Sequence, residues 1–175
     1  MPDEWATEKS CCFTGNRYLS PGMRGEIGRW LDREILGLIG QGVVYFWAGG
    51  ALGFDTMAAR TVLRIRDRAY YYDTFGPNVP NARLGLALPC QNMDERWPAA
   101  DRRVLAECIE VADRVVYTSR EYYPGCMHLR NRFLADNSGV CLYYSARGVG
   151  GTAYTVRYAK KQGLRMIPFL DEGAT

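Results

Sequence analysis

No apolar run in the 175-residue chain approaches the roughly 20 residues needed to span a bilayer. Met1 to Ser10 is polar and carries Asp3, Glu4 and Glu8, so no signal peptide is expected there. The six cysteines, Cys11, Cys12, Cys90, Cys108, Cys126 and Cys141, contain no C-x-x-C pair. A chain of this size needs no disulfide staples, and free cysteine behaves as a small buried hydrophobe. Reduced thiols and a cytoplasmic location are therefore expected. Cys126 and His128 can ligate a metal, but no second pair stands nearby in sequence, so no metal site is expected. His128 is the single histidine and is expected on the surface or in packing rather than in catalysis. Charge of one sign is also scarce. A net charge of +3 neither demands nor excludes an anionic partner and is far from a dedicated nucleic-acid arm.

Hydrophobic content of 47% and charged content of 23% are ordinary for a globular protein. The length suits one domain with a proper core. A single domain over residues 1–175 is expected, with 1–9 as a flexible N-terminus.

Glycine is where the pattern becomes informative. The apolar run Val43-Val44-Tyr45-Phe46 reads as a buried strand, and Phe54, Met57, Ala58, Val62 and Ile65 fall on one helix face. Between them lies Trp47-Ala48-Gly49-Gly50-Ala51-Leu52-Gly53. Glycines between a strand and a helix let a ligand approach the backbone. The free N–H groups and the dipole of the helix start then favour an anion. The spacing is G-G-x-x-G, neither the dinucleotide G-x-G-x-x-G nor a Walker loop with its lysine. The alternative is that these glycines only permit close strand–helix packing.

Further strands are expected at Ser10 to Thr14, Leu84 to Leu88, Asp113 to Thr118, Val140 to Tyr144 and Arg165 to Phe169. Ser20-Pro21 reads as an N-cap with proline in the first turn, opening a helix through Ile27, Trp30, Leu31, Ile35 and Leu38 that ends at Gly40 and Gly42. Tyr70 to Pro80, with two prolines, reads as a long loop. Helices follow Trp97-Pro98, start near Met127, and follow Gly148 to Gly151. Strands alternating with helices give an α/β fold, a Rossmann-like three-layer sandwich with a mostly parallel sheet. Right-handed crossovers then place every strand-to-helix turn on one edge. Three of those turns carry glycine: Gly15, Gly49 to Gly53, and Gly148 to Gly151. In such sheets ligands bind beyond the carboxyl ends of the strands at the switch point, which favours the anion reading over the packing reading.

Cys11-Cys12-Phe13-Thr14-Gly15-Asn16-Arg17, Gly50-Ala51-Leu52-Gly53-Phe54-Asp55 and Arg96-Trp97-Pro98 resemble the YpsA-like bacterial proteins. So do Tyr122-Tyr123-Pro124-Gly125-Cys126, Arg130-Asn131-Arg132 and Gly150-Gly151-Thr152-Ala153-Tyr154-Thr155-Val156. The match runs in order from about Cys11 to Pro168. That family belongs to the SLOG superfamily of Rossmann-like domains, with the DNA-uptake protein DprA and the cytokinin-activating phosphoribohydrolases among its relatives. The resemblance implies a site for a nucleotide-like or nucleic-acid-like ligand and a role in bacterial growth or cell division. It departs from the family where Asn16 replaces the usual histidine, so that position cannot titrate. Tyr144-Ser145-Ala146-Arg147 lacks the usual aspartate, and Arg147 makes the entrance more basic. The related hydrolases carry a glutamate where this chain has Thr155. Threonine cannot act as a carboxylate acid or base at neutral pH, so that hydrolase activity is expected to be absent.

The expected ligand-binding residues are Gly15, Asn16, Arg17, Gly49, Gly50, Ala51, Gly53, Asp55, Arg130, Asn131, Gly150, Gly151 and Thr152, with no catalytic residue assigned. Arg17 can grip a phosphate with its fork. Asp55 can cap its own helix or accept a ribose hydroxyl. Arg130 and Arg132 cannot both face one ligand from one helix, so one is expected in solvent. Thr152 either contacts a phosphate or caps, and Trp97 either stacks a base or packs. Asp55 and Asp136 are an open carboxylate pair. Gly50→Val is expected to abolish ligand binding while leaving the protein folded. The expected partner is a small nucleotide-like or ADP-ribose-like ligand, with no certain cofactor. Nucleic acid is open but not favoured, no membrane is expected, and a homodimer is left open. The alternatives to a binding or sensor domain are a nucleotide or N-glycoside hydrolase and a single-strand nucleic-acid binder.

Overall fold

The computed structural model describes residues 5–71, 81–146, 148 and 150–171. Six strands alternate with five helices: β1 (Ser10–Gly15), α1 (Pro21–Gly40), β2 (Tyr45–Ala48), α2 (Phe54–Tyr71), β3 (Arg83–Leu88), α3 (Ala99–Val111), β4 (Arg114–Tyr117), α4 (Cys126–Asp136), β5 (Val140–Tyr144), α5 (Gly151–Lys161) and β6 (Arg165–Pro168). All strands pair in parallel in the order β4-β3-β2-β1-β5-β6. The order reverses direction between β1 and β5, which is the switch point of a doubly wound sheet.

The two faces of the sheet follow from side-chain alternation. Cys11, Phe13, Phe46, Ala48, Leu84, Leu86 and Leu88 point to one face, where they meet Ile27, Leu31 and Ile35 of α1, Ala58 and Val62 of α2, and Leu105 of α3. Cys12, Trp47, Ala87 and Cys141 point to the other, where Leu134 of α4 and Trp5 cover them. Helix α5 packs beside α4. The layers are thus α1–α3, sheet, and α4–α5. The expected α/β class and parallel sheet are observed.

The differences are local. Strand β2 starts at Tyr45 rather than Val43, and the Val44 N–H donates to the Lys9 carbonyl at 2.9 Å just ahead of the paired register. Tyr70 and Tyr71 continue α2 rather than opening the loop, and the rest of that expected loop, 72–80, lies outside the described residues. The N-terminal stretch expected to be flexible is packed from Trp5 on. The Trp5 indole stacks on Tyr45 and tilts against Trp47, with ring centroids 4.7 Å apart in each case. The Arg114 guanidinium lies 5.7 Å from both indole rings. Ser20 is the N-cap of α1 and Pro21 follows it, but its hydroxyl makes no capping bond; its carbonyl accepts from the Arg24 N–H at 3.1 Å. All six cysteines are free and buried. Among the described residues no helix is long and apolar enough to cross a membrane.

Candidate ligand site at the switch point

The carboxyl ends of β1 and β5 lie side by side, tied by the Asn16 N–H donating to the Tyr144 carbonyl at 3.2 Å. From there the chain leaves in opposite directions, into α1 and α5, and a cavity of about 850 Å³ opens between them. Thr14, Gly15, Asn16 and Arg17 line it from β1 and its turn, Ala51 and Asp55 from the start of α2, Arg130 and Asn131 from α4, and Gly151 and Thr152 from the start of α5. Of the residues expected at a site, Gly49, Gly50, Gly53 and Gly150 are not in the lining. Arg147 lies outside the described residues.

The absent glycines have other work. Gly53 has φ +79, and a Cβ there would stand 2.1 Å from the Arg17 carbonyl oxygen and 2.7 Å from that of Asn16. The β1–α1 turn therefore rests directly on the start of α2, held by the Phe54 N–H donating to Asn16 O at 3.1 Å. A Cβ on Gly15 would meet the Phe54 ring at 2.2 Å, so the same contact is tight from both sides. Gly50 has φ +73 and faces Leu88, whose Cδ2 would lie 2.4 Å from a Cβ. The expectation for Gly50→Val changes accordingly: the side chain would enter the core beside Leu88 and Leu105 rather than stand before a ligand, so stability is what it would affect first.

Beneath the turn lies a buried charged cluster. Arg130, 5% exposed, donates from its guanidinium to the Gly49 carbonyl, and from Nε to Asn131 Oδ1 at 2.8 Å. Asp55, 6% exposed, accepts from the Ala51 N–H at 3.3 Å. A Cβ on Gly49 would be 2.6 Å from the guanidinium and 2.8 Å from Asp55 Oδ2, so the two charged groups converge on that one backbone position. Burial raises the Asp55 carboxyl to about 6, against the opposing pull of Arg130, the Ala51 N–H and Arg17. Burial likewise lowers the Arg130 guanidinium, with Asp55 opposing. Asp55 thus closes the turn ahead of its helix, bonding an N–H that lies outside α2 rather than capping the helix, and it also lines the cavity.

This fixes a sign for pH. The folded protein holds the Asp55 proton more tightly than the unfolded chain, so this group's contribution to stability falls as pH rises from about 4 to about 6 and is flat above. Asp55→Asn keeps an acceptor for the Ala51 N–H and removes the titration. The stability of wild type minus that of Asp55→Asn is expected to drop by up to about 3 kcal/mol between pH 4 and pH 7. Urea midpoints across that range check it, and a pH-independent difference would contradict it.

Arg17 is exposed on the rim, and among the described residues no hydrogen bond or ion pair engages it. The first residues of α5, Gly151 and Thr152, line the same cavity, and that helix's opening turn carries no acidic residue. The Tyr154 N–H donates to Gly150 O at 3.0 Å, so the helical ladder starts there and the amides before it have no partner within the helix. Arg130 and Arg132 do separate as helical spacing requires: Arg132 is exposed beside Asp136 on the outer groove. Asp136 accepts from the Tyr158 hydroxyl at 2.7 Å and does not line the cavity, so it forms no pair with Asp55. Trp97 packs against the core and does not reach the site. Thr155 is fully buried and donates to the Gly151 carbonyl at 2.9 Å. His128 lines the cavity with its ring 4.2 Å from that of Tyr154. Ser20, Tyr18 and Tyr144 also line it and are not among the ligand-binding residues expected from sequence. Tyr18 follows Arg17 directly, which was the one available signal.

A doubly wound parallel sheet with a cavity at its switch point defines a Rossmann-like domain. The chain belongs to the YspA SLOG family, whose model matches residues 25–168. It is similar to a UPF0398 protein of Halalkalibacterium halodurans, 27% identical over 139 residues, covering 78% of this chain and 68% of the relative. A UPF0398 protein of Brevibacillus brevis is 24% identical over 139 residues, covering 78% and 69%. Among solved structures, DNA processing protein A of Helicobacter pylori, described for its single-stranded DNA binding mode, superposes with TM-score 0.63 at 19% identity, over 97% of this chain and 68% of that one. DNA processing protein A of Streptococcus pneumoniae gives TM-score 0.66 at 15% identity over 98% of this chain. This chain spans about half of that protein's length, 53%. These structural likenesses establish the fold.

Proposed function

We propose that the cavity binds a nucleotide-like ligand, with its phosphate against Arg17 and the amino end of α5. The observation that carries this reading is that an exposed guanidinium, hydrogen-bonded to none of the described residues, lines the same switch-point cavity as the start of α5. A guanidinium offers two parallel donors to phosphate oxygens, and the helix start adds backbone N–H groups and a favourable dipole. The buried Arg130–Asp55 cluster holds the floor in place. In this reading the protein is a binding or sensor domain, and its link to growth or division belongs to the same proposal.

Equilibrium titration with nucleoside mono- and diphosphates, ADP-ribose and NAD tests it. At least one is expected to bind below millimolar concentration. Arg17→Ala is expected to weaken that ligand roughly tenfold or more, the scale of a lost charge-assisted hydrogen bond, with little change in melting temperature because the side chain is exposed. A panel that fails to bind, or an Arg17→Ala variant that binds as wild type does, would refute the proposal.

A second reading, hydrolysis of a nucleotide or N-glycosidic bond, draws on Asp55 alone: a carboxyl in the lining raised to about 6 is in the range of a general acid. Nucleotides recovered unchanged by chromatography after incubation with wild type would remove it.

A further inference from the structure

Two of the six buried cysteines meet close beneath the surface. Cys90 follows β3 and Pro89, and Cys126 opens α4, the helix that packs against β3. Their side chains hydrogen-bond to each other, and both residues are 0% exposed. The cover over them is thin. Gln91 and Asn92, after the first cysteine, are exposed, and so is every residue from Arg120 to Gly125, before the second. Gln91, Asn92 and the residues Ser119 to Tyr122 line an open groove of about 860 Å³ between those two segments. The two sulfurs stand in different surroundings. Cys126 is the first residue of α4, whose opening turn holds no acidic residue, and the dipole of a helix start favours negative charge. Its sulfur also favours the charged form of the buried Arg130, four residues on, so a cation lies within its field. At Cys90, burial and then the Cys126 sulfur push the thiol above its ordinary range.

We propose that Cys90 and Cys126 form an oxidisable dithiol, which a hydroperoxide converts into a disulfide between the end of β3 and the start of α4. The site is separate from the proposed nucleotide cavity and does not depend on it. A helix start and a nearby cation are the surroundings in which a cysteine sulfur acts as a nucleophile, which gives Cys126 the first step. Its sulfur attacks one peroxide oxygen, the O–O bond breaks, and the departing hydroxide takes the Cys126 proton, leaving a sulfenic acid and water. The Cys90 sulfur then attacks the Cys126 sulfur, the S–O bond breaks, and the second hydroxide leaves as water with the Cys90 proton. Two thiols and one hydrogen peroxide thus give one disulfide and two waters, and two electrons pass from sulfur to oxygen. Entry requires the exposed turn ahead of α4 to open, and openings of such turns lie at the low-energy end of local unfolding. Cys12 and Cys141 also hydrogen-bond, across β1 and β5, but they lie in the middle of the sheet beneath Leu134 and are expected to stay reduced. The bond between Cys90 and Cys126 fastens the first turn of α4, which brings Met127, His128 and Arg130 to the first cavity.

Peroxide treatment of the wild-type protein tests the proposal. The folded protein is incubated with a small molar excess of hydrogen peroxide, remaining thiols are blocked, and the digest is mapped by mass spectrometry. Two of the six thiols are expected to disappear together, in one linked peptide pair that carries Cys90 and Cys126 and that a dithiol reductant separates. Cys126→Ser is expected to lose the Cys90 thiol roughly tenfold more slowly or less. Cys90→Ser is expected to stop at a Cys126 sulfenic acid, which a cyclic diketone traps. The wild-type map decides the proposal by itself if either serine variant fails to fold. Six thiols intact after treatment, a linked pair other than Cys90 and Cys126, or a Cys126→Ser variant that loses Cys90 as fast as wild type does would overturn it.

Discussion

Gly53→Ala is expected to destabilise the protein by about 2–6 kcal/mol. Two effects combine at this position. The backbone has φ +79, a region in which a non-glycine residue costs on the order of 1–3 kcal/mol. The added methyl would also stand 2.1 Å from Arg17 O and 2.6 Å from Arg17 C. Those are backbone atoms of a turn whose Asn16 carbonyl is already bonded to the Phe54 N–H, so the turn cannot withdraw without losing that bond, and overpacking adds about 1–3 kcal/mol. Gly50→Ala makes the contrast. Its φ is +73, but its closest neighbour is the tip of the Leu88 side chain, which can rotate. Its loss is expected to stay near the backbone term alone, about 1–3 kcal/mol. Urea denaturation of both variants checks the order. A Gly53→Ala loss below that of Gly50→Ala would mean the two turns are not in fixed contact.

This comparison shows how much of the site was legible in the sequence. The glycines after β2 were found at the correct edge of the sheet, because a strand, a turn and an amphipathic helix have recognisable periods. Their roles were not legible. Gly53 and Gly50 are held by what packs on them, the Arg17 carbonyl and Leu88, and those partners are distant in the chain. The strands read well for the same reason. Cys11 and Phe13 alternate with Cys12 as a two-faced central strand must, and β5 was placed from Val140 to Tyr144 as observed. Strand order was less accessible, since nothing local says that β5 returns to lie beside β1. That return creates the switch point and with it the cavity. Helical spacing did separate Arg130 from Arg132, but not which of them was buried. The answer depends on the Gly49 carbonyl, 81 residues away. Trp5 was hidden for a similar reason: a polar N-terminal stretch gave no sign that one indole would stack on Tyr45.

Arg130→Met should show a loss of stability that itself depends on pH. Methionine retains much of the side chain's bulk and removes its charge and its donors. Three groups then lose a partner: the Gly49 carbonyl, Asn131 Oδ1 and, through the field, the Asp55 carboxylate. Removing one member of a buried charged pair typically costs about 3–5 kcal/mol, because the remaining charge is stranded. The stranded group here can escape by taking a proton. Arg130 is the strongest influence holding the Asp55 carboxyl down, so in the variant that carboxyl rises further above 6. Protonated Asp55 needs no counter-charge, so at pH 5 the variant loses chiefly its hydrogen bonds. Above pH 6 wild-type Asp55 is ionised beside Arg130, while the variant must either keep its proton or bury a bare carboxylate. The variant is therefore expected to lose more, relative to wild type, at pH 8 than at pH 5. Asp55→Asn in the Arg130→Met background is expected to abolish that pH dependence and leave the hydrogen-bond loss. Chemical denaturation of the four proteins at the two pH values measures all of it. An Arg130→Met loss that is the same at both would mean that Asp55 does not depend on Arg130, and that the cavity floor is held by the Gly49 and Asn131 hydrogen bonds alone.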